Sequence, residues 1–146
     1  MIRRMNGADA DAVWEIFVTS LGYACTADVV RRRIADLEQD AHHVMLVWED
    51  EATGSVDGLI HAERYETLHD EGGWNVIALA VMPRAQGNGI GRALLAAVEG
   101  LARDGGGAFV RLNSRVERVQ AHGFYEHLGY DCDKVQKRFI KRFATT

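Results

Sequence analysis

Residues 76–100, VIALAVMPRAQGNGIGRALLAAVEG, leave the chain little choice of fold. The apolar run at 76–82 is too short to cross a membrane and has the length of a buried strand. Pro83 removes an amide donor and biases Met82 toward an extended backbone, so the strand stops there. Gly87, Gly89 and Gly91 follow at alternate positions, as a backbone needs where it turns tightly or passes close to a ligand. From Ile90 the period becomes helical. Ile90, Leu94, Leu95, Val98, Leu101 and Ala102 share one face, with Arg92, Glu99 and Arg103 off it. Gly105, Gly106 and Gly107 close that helix. A strand that feeds a glycine-rich turn into a helix presents unpaired amides and the positive end of a helix dipole. That is a site for an anion, and phosphate fits it.

Two nucleotide-binding patterns fail on this turn. A P-loop ends in Gly-Lys-Ser/Thr, whereas Gly91 is followed by Arg92 and Ala93. A dinucleotide fingerprint needs a third glycine where Arg92 stands, and residues 109–111 offer no acidic group for a ribose. The residues do match Gln/Arg-x-x-Gly-x-Gly/Ala, as Gln86-Gly87-Asn88-Gly89-Ile90-Gly91. A second block lies downstream: Arg118-x-x-Ala121-His122-x-Phe124-Tyr125-x-x-x-Gly129-Tyr130. On these two blocks the chain resembles the GNAT family of N-acetyltransferases.

The rest of the chain fits one soluble domain, 1–146, with 47% hydrophobic and 26% charged residues. The net charge of −4 gives no general attraction to nucleic acid or to an anionic membrane. The first residues, MIRRMNGADADAV, lack the apolar core of a signal peptide, and Cys25 and Cys132 are too few for a disulfide framework or a zinc site. A cytoplasmic location follows, and no metal is expected.

A short strand at 1–4 precedes a helix capped by Asp9 or Asp11 and carrying Val13, Ile16, Phe17 and Leu21. Gly22 breaks it, and Thr26 caps a second helix at 27–39. Strands at 44–49 and 56–65 flank a turn and read as a hairpin. The strand at 74–82 is central. After the helix crossover, the strand at 108–112 must lie beside it in parallel. A helix from 116 or 118 to 127 ends at Gly129, and strands at 130–132 and 136–143 are expected to complete the sheet. The fold is therefore α/β: a mixed, mostly antiparallel central sheet flanked by helices. The resemblance adds a splayed parallel strand pair.

The resemblance implies acetyl-coenzyme A as cofactor and an amine as acceptor. The cofactor's pyrophosphate would lie on Gln86, Gly87, Asn88, Gly89, Ile90 and Gly91, with Arg92 and Arg118 as cationic partners. Its pantetheine arm would run along Leu79, Ala80 and Val81, with an amide near Ala80 polarising the thioester carbonyl. Tyr125 matches the family's general acid. The family's usual asparagine, three residues before the motif alanine, is replaced by Arg118, and Asn113 is shifted in sequence.

No residue announces itself as the base. Alternation on 56–65 puts Leu59, His61, Glu63 and Tyr65 on one face, which makes Glu63 and His61 the candidates, directly or through water. His122, beside the motif alanine, reads as helix surface. The acidic connection with Glu66, Asp70 and Glu71 would favour a cationic small amine. The expected activity is direct transfer in a ternary complex to a primary amine of a small molecule. The alternatives are acetylation of a protein N-terminus or lysine, and a non-catalytic acetyl-coenzyme A sensor. Homodimers are common in the family, and these residues neither require nor forbid one.

Overall fold

The computed structural model describes residues 1–144. Its elements run β1 (Ile2–Arg4), α1 (Ala10–Leu21), α2 (Ala27–Leu37), β2 (His43–Glu49), β3 (Val56–Tyr65), β4 (Gly73–Val81), α3 (Ile90–Asp104), β5 (Val110–Leu112) and α4 (Val119–His127). Single 3-10 turns, Gly7–Asp9 and Pro83–Ala85, precede α1 and follow β4. The chain divides into two compact units, Met1–Asn113 and Ser114–Thr146. Among the described residues no helix is long and apolar enough to cross a membrane.

In the first unit the strands lie in the order β1-β2-β3-β4-β5. All neighbours are antiparallel except β4 and β5, which are parallel as the helical crossover demands. Strand alternation sorts the side chains into two layers. Val47, Leu59, Ala78 and Ala80 meet Val13, Ile16, Val30 and Ile34 of α1 and α2 on one face. On the other, α3 buries Ile90, Leu94, Leu95, Val98 and Ala102. Gly58 lets α3 approach closely: a Cβ there would stand 2.9 Å from the Ile90 side chain. Leu101, expected on the buried stripe, is 47% exposed.

Caps and turns follow local chemistry, with one exception. Thr26 accepts from the Val29 amide and starts α2, and Gly22 ends α1 in a left-handed conformation at φ 69°. Asp9, expected to cap α1, makes no side-chain cap. It is 4% exposed and forms a two-pronged ion pair with Arg3 (2.8 and 2.9 Å), and Asn6 begins the preceding turn instead. Burial alone would raise the Asp9 pKa, but hydrogen bonds from Arg3 and the Asn6 amide outweigh it and hold the carboxyl below its ordinary value.

The second unit contains α4, followed by Gly129 at φ 91°. The strands expected at 130–132 and 136–143 are absent: residues 131–144 carry no regular secondary structure. The pattern explains this, since neither alternate set of the segment VQKRFIKRF is continuously apolar. Lys137 and Lys141 interrupt the set of Val135, Phe139 and Phe143, which are 80%, 90% and 83% exposed.

Candidate active site

β5 is short, and its pairing with β4 covers only Trp74, Asn75 and Val76. β4 runs on through 77–81 with no strand beside it on that edge among the described residues. The register with β3 jumps between His61 and Ala62, leaving Ile77 without a partner there. The bond from the Met82 amide to the Asp57 carbonyl sets the phase of the ladder. It makes Gly58–Val81 a non-bonded pair, so Ala80 exchanges its backbone bonds with Leu59. The amide expected at Ala80 is therefore spent inside the sheet. Leu79 and Val81 turn their backbone groups to the open edge instead. The Val81 carbonyl is already engaged by Ser20 Oγ at 2.9 Å and Gln86 Nε2 at 3.1 Å. That leaves the Leu79 N–H and C=O and the Val81 N–H.

The glycine-rich turn continues from this edge. Gly87 and Gly89 adopt φ of 81° and 79°, where a side chain would be strained. The Asn88 side chain donates to the Ala85 carbonyl at 3.0 Å and braces the turn from within. The first bond of α3 is from Ala93 N–H to Gly89 C=O. None of the six amides from Gly87 to Arg92 donates to any partner among the described residues. No acidic residue occupies the first turn, and Arg92 is exposed. Arg84 points elsewhere, paired with the buried Asp57 at 2.7 Å. Six unpaired amides at a helix N-terminus leave donors and a positive dipole end free to take an anion.

A polar cluster occupies the α1/α2 face of the sheet where the apolar layer ends. His43 Nδ1 lies 2.9 Å from His61 Nε2. Burial, and then electrostatic repulsion of the protonated ring by His43 and Arg33, push the His61 pKa down to about 4. Its ring is neutral at pH 7. Glu63 stands opposite His43 and Asn75 and accepts from Asn75 Nδ2 at 3.4 Å. Asn75 Oδ1 accepts from Arg111 at 2.7 Å, and Asn113 Oδ1 accepts from the same guanidinium at 2.9 Å. Arg111 lies 4.6 Å from the centre of the Tyr65 ring. The pattern on 56–65 located Glu63 and His61. It did not show Asn75 or Arg111, which lie on other strands and reach the cluster only through sheet register.

In the second unit Tyr125 is half-buried, with ring centroids 5.2 Å from Phe124 and 6.0 Å from Tyr130. Burial raises its pKa, while the positive charge of Arg118 opposes the shift. His122 Nε2 donates to the Arg115 carbonyl at 2.7 Å and ties the loop to α4.

A cavity of about 490 Å³ lies on the α3 face, between Trp74 and Gly105–Gly107, and Leu101 lines it. It is at the end of β4 away from the glycine turn. The acidic residues Glu66, Asp70 and Glu71 are exposed at that same end, and Glu66 pairs with Arg64. Among the described residues no group of His, Cys, Asp and Glu could hold a metal ion.

The open strand edge, the amide-rich turn and the parallel β4–β5 pair belong to one mixed α/β fold, and comparison with known proteins gives its family. The model of the acetyltransferase (GNAT) family matches residues 10–130, and the chain belongs to that family. It is 28% identical over 135 residues to the aminoalkylphosphonate N-acetyltransferase of Salmonella typhimurium, covering 88% of this chain and 83% of that protein. It is 49% identical over 51 residues to an aminoglycoside N(6′)-acetyltransferase of Stenotrophomonas maltophilia, a match spanning 35% of this chain and only 33% of the relative. The fold resembles that of the aminoglycoside 6′-N-acetyltransferase of Acinetobacter haemolyticus, with a TM-score of 0.83, 13% identity and 99% of both chains covered.

Proposed function

We propose that this acetyltransferase moves the acetyl group of acetyl-coenzyme A to the primary amine of a small molecule, in one ternary complex. The observation that carries the reading is the run of six unpaired amides from Gly87 to Arg92, directly after the open edge of β4. The residues fit the cofactor. The turn offers N–H groups to a pyrophosphate, Arg92 adds a cation, and the free backbone groups of Leu79 and Val81 suit an amide-containing arm. Arg118 is a further candidate for a phosphate contact. Bound acetyl-coenzyme A supplies the acetyl group as a thioester.

The chain's own residues supply proton handling. An alkylamine with a pKa of about 10.4 enters charged at pH 7, and neutralising it costs roughly 4–5 kcal/mol. Glu63 is assigned as the acceptor of that proton, directly or through water. Its carboxylate attracts an ammonium, whereas His61 is neutral and has Nε2 occupied by His43. A charged imidazolium beside Glu63 would repel the incoming amine, so the burial that keeps His61 neutral serves the site. Tyr125 is assigned as proton donor to the leaving group. Its raised pKa keeps the phenol protonated, at some cost in driving force that Arg118 partly offsets.

The two named relatives act on amines of opposite character, so the small-molecule class is the level at which their likeness supports the reading. The test is thiol release from acetyl-coenzyme A across aminoglycosides, polyamines, amino acids, aminoalkylphosphonates and short peptides, with Tyr125→Phe run in parallel. Turnover confined to small amines is expected, with at least a tenfold loss in Tyr125→Phe and unchanged cofactor binding. Turnover of peptides alone, or none with any amine, would overturn the reading.

A further inference from the structure

We infer that the acceptor carries an anionic group besides its amine, and that Arg111 binds that group. The inference rests on the acetyl-transfer reading above. Arg3, the one other half-buried arginine among the described residues, meets the carboxylates of Asp9 and Glu49 within 4.0 Å. Arg111 is half-buried and has none among the described residues. Its contacts are two neutral amide oxygens, those of Asn75 and Asn113, and the face of Tyr65. Removing a charge from water without a counter-charge is costly.

A guanidinium has five N–H donors, and two are used here, so three are left for a planar or tetrahedral anion. The two amide oxygens and the aromatic face hold its plane in one orientation, which favours two-pronged binding.

Position ties this cation to the reacting end of the site. Arg111 and Glu63 lie on the same sheet face, separated by the single side chain of Asn75, which bonds to both. Asn75 itself stands two residues, about 7 Å, before the unpaired stretch of β4. A carboxylate and a guanidinium spaced by one amide complement a zwitterion, with ammonium toward Glu63 and anion toward Arg111. A polycation would find one carboxylate and be repelled by Arg111. The acceptor class is a small amine bearing a carboxylate, phosphonate or sulfonate.

The experiment compares initial rates of thiol release for β-alanine, 2-aminoethylphosphonate and taurine with those for propylamine, spermidine and kanamycin. The full chain, Arg111→Gln and Arg111→Lys are assayed. The wild type is expected to favour at least one anionic amine over propylamine by tenfold or more in kcat/KM. Arg111→Gln is expected to cut that ratio by roughly 10–100-fold, mainly through KM, with Arg111→Lys intermediate. An equal loss for all amines would make Arg111 structural and overturn the inference, as would preference for spermidine or kanamycin. Calorimetric titration of the same amines into the protein with coenzyme A separates the two readings. Arg111-dependent binding of the anionic amines without thiol release upholds the anion site and overturns acetyl transfer. No binding of any amine overturns both.

Discussion

His61 has its Nε2 2.9 Å from His43 Nδ1, and burial, with repulsion of its protonated form by His43 and Arg33, brings its pKa to about 4. Unfolding returns the ring to an ordinary value near 6.5, so between those values the unfolded chain binds more protons than the folded one. The stabilisation is therefore complete above pH 6.5 and is lost as the pH falls toward 4. Allowing for the ring's partial exposure, it amounts to about 1–3 kcal/mol. Urea unfolding at pH 7.5 and pH 4.5 should show this loss in the wild type and a smaller one in His61→Gln. Equal losses in both proteins would mean that another group titrates. The same depressed pKa explains why pattern alone could not choose between Glu63 and His61. Alternation reports the shared face, but the neutral state of one and the charge of the other depend on what surrounds them.

At the scale of elements, the decisive feature is a mismatch in length. β4 is nine residues long and β5 three, so the parallel pair ends early and exposes backbone donors and an acceptor along β4. The glycine turn then adds its amides to the same line. Gly89 has open space around its missing Cβ, so only its φ of 79° demands glycine. Gly89→Glu places both a strained residue and a negative charge at the anion site. Thermal shift should show that acetyl-coenzyme A no longer stabilises this variant, while Gly54→Ala, at an exposed hairpin turn with a similar φ of 75°, keeps the response. A retained response in Gly89→Glu would place the cofactor elsewhere.

At the scale of the molecule, we expect 1–146 to behave as one domain. Ser114–Thr146 is short, its helix α4 has no buried residue, and Val116, Val119, Phe139 and Phe143 are largely exposed within it. A segment of that size with so little core does not fold alone. Calorimetry of the full chain is expected to show a single transition with equal calorimetric and van't Hoff enthalpies. Two separable transitions would make the C-terminal segment a unit of its own.

The order of strands and helices, the glycine turn, the parallel crossover and the two candidate side chains on β3 were all legible in the chain. Each is a local property: a period of two or 3.6, a proline that ends a strand, a glycine at positive φ. Period alone overreached at 136–143, where Lys137 and Lys141 break the alternation, and at Leu101, which faces a cavity rather than the sheet. Three other features needed the tertiary structure. The outward amides are those of Leu79 and Val81 because the β3 register decides the phase of the ladder. Asp9 holds Arg3 and the Asn6 amide instead of capping α1, because β1 brings the guanidinium to it. Arg111 joins Glu63 because three strands place residues 63, 75 and 111 side by side. Sequence specifies such residues one at a time, and only the packed sheet sets them side by side.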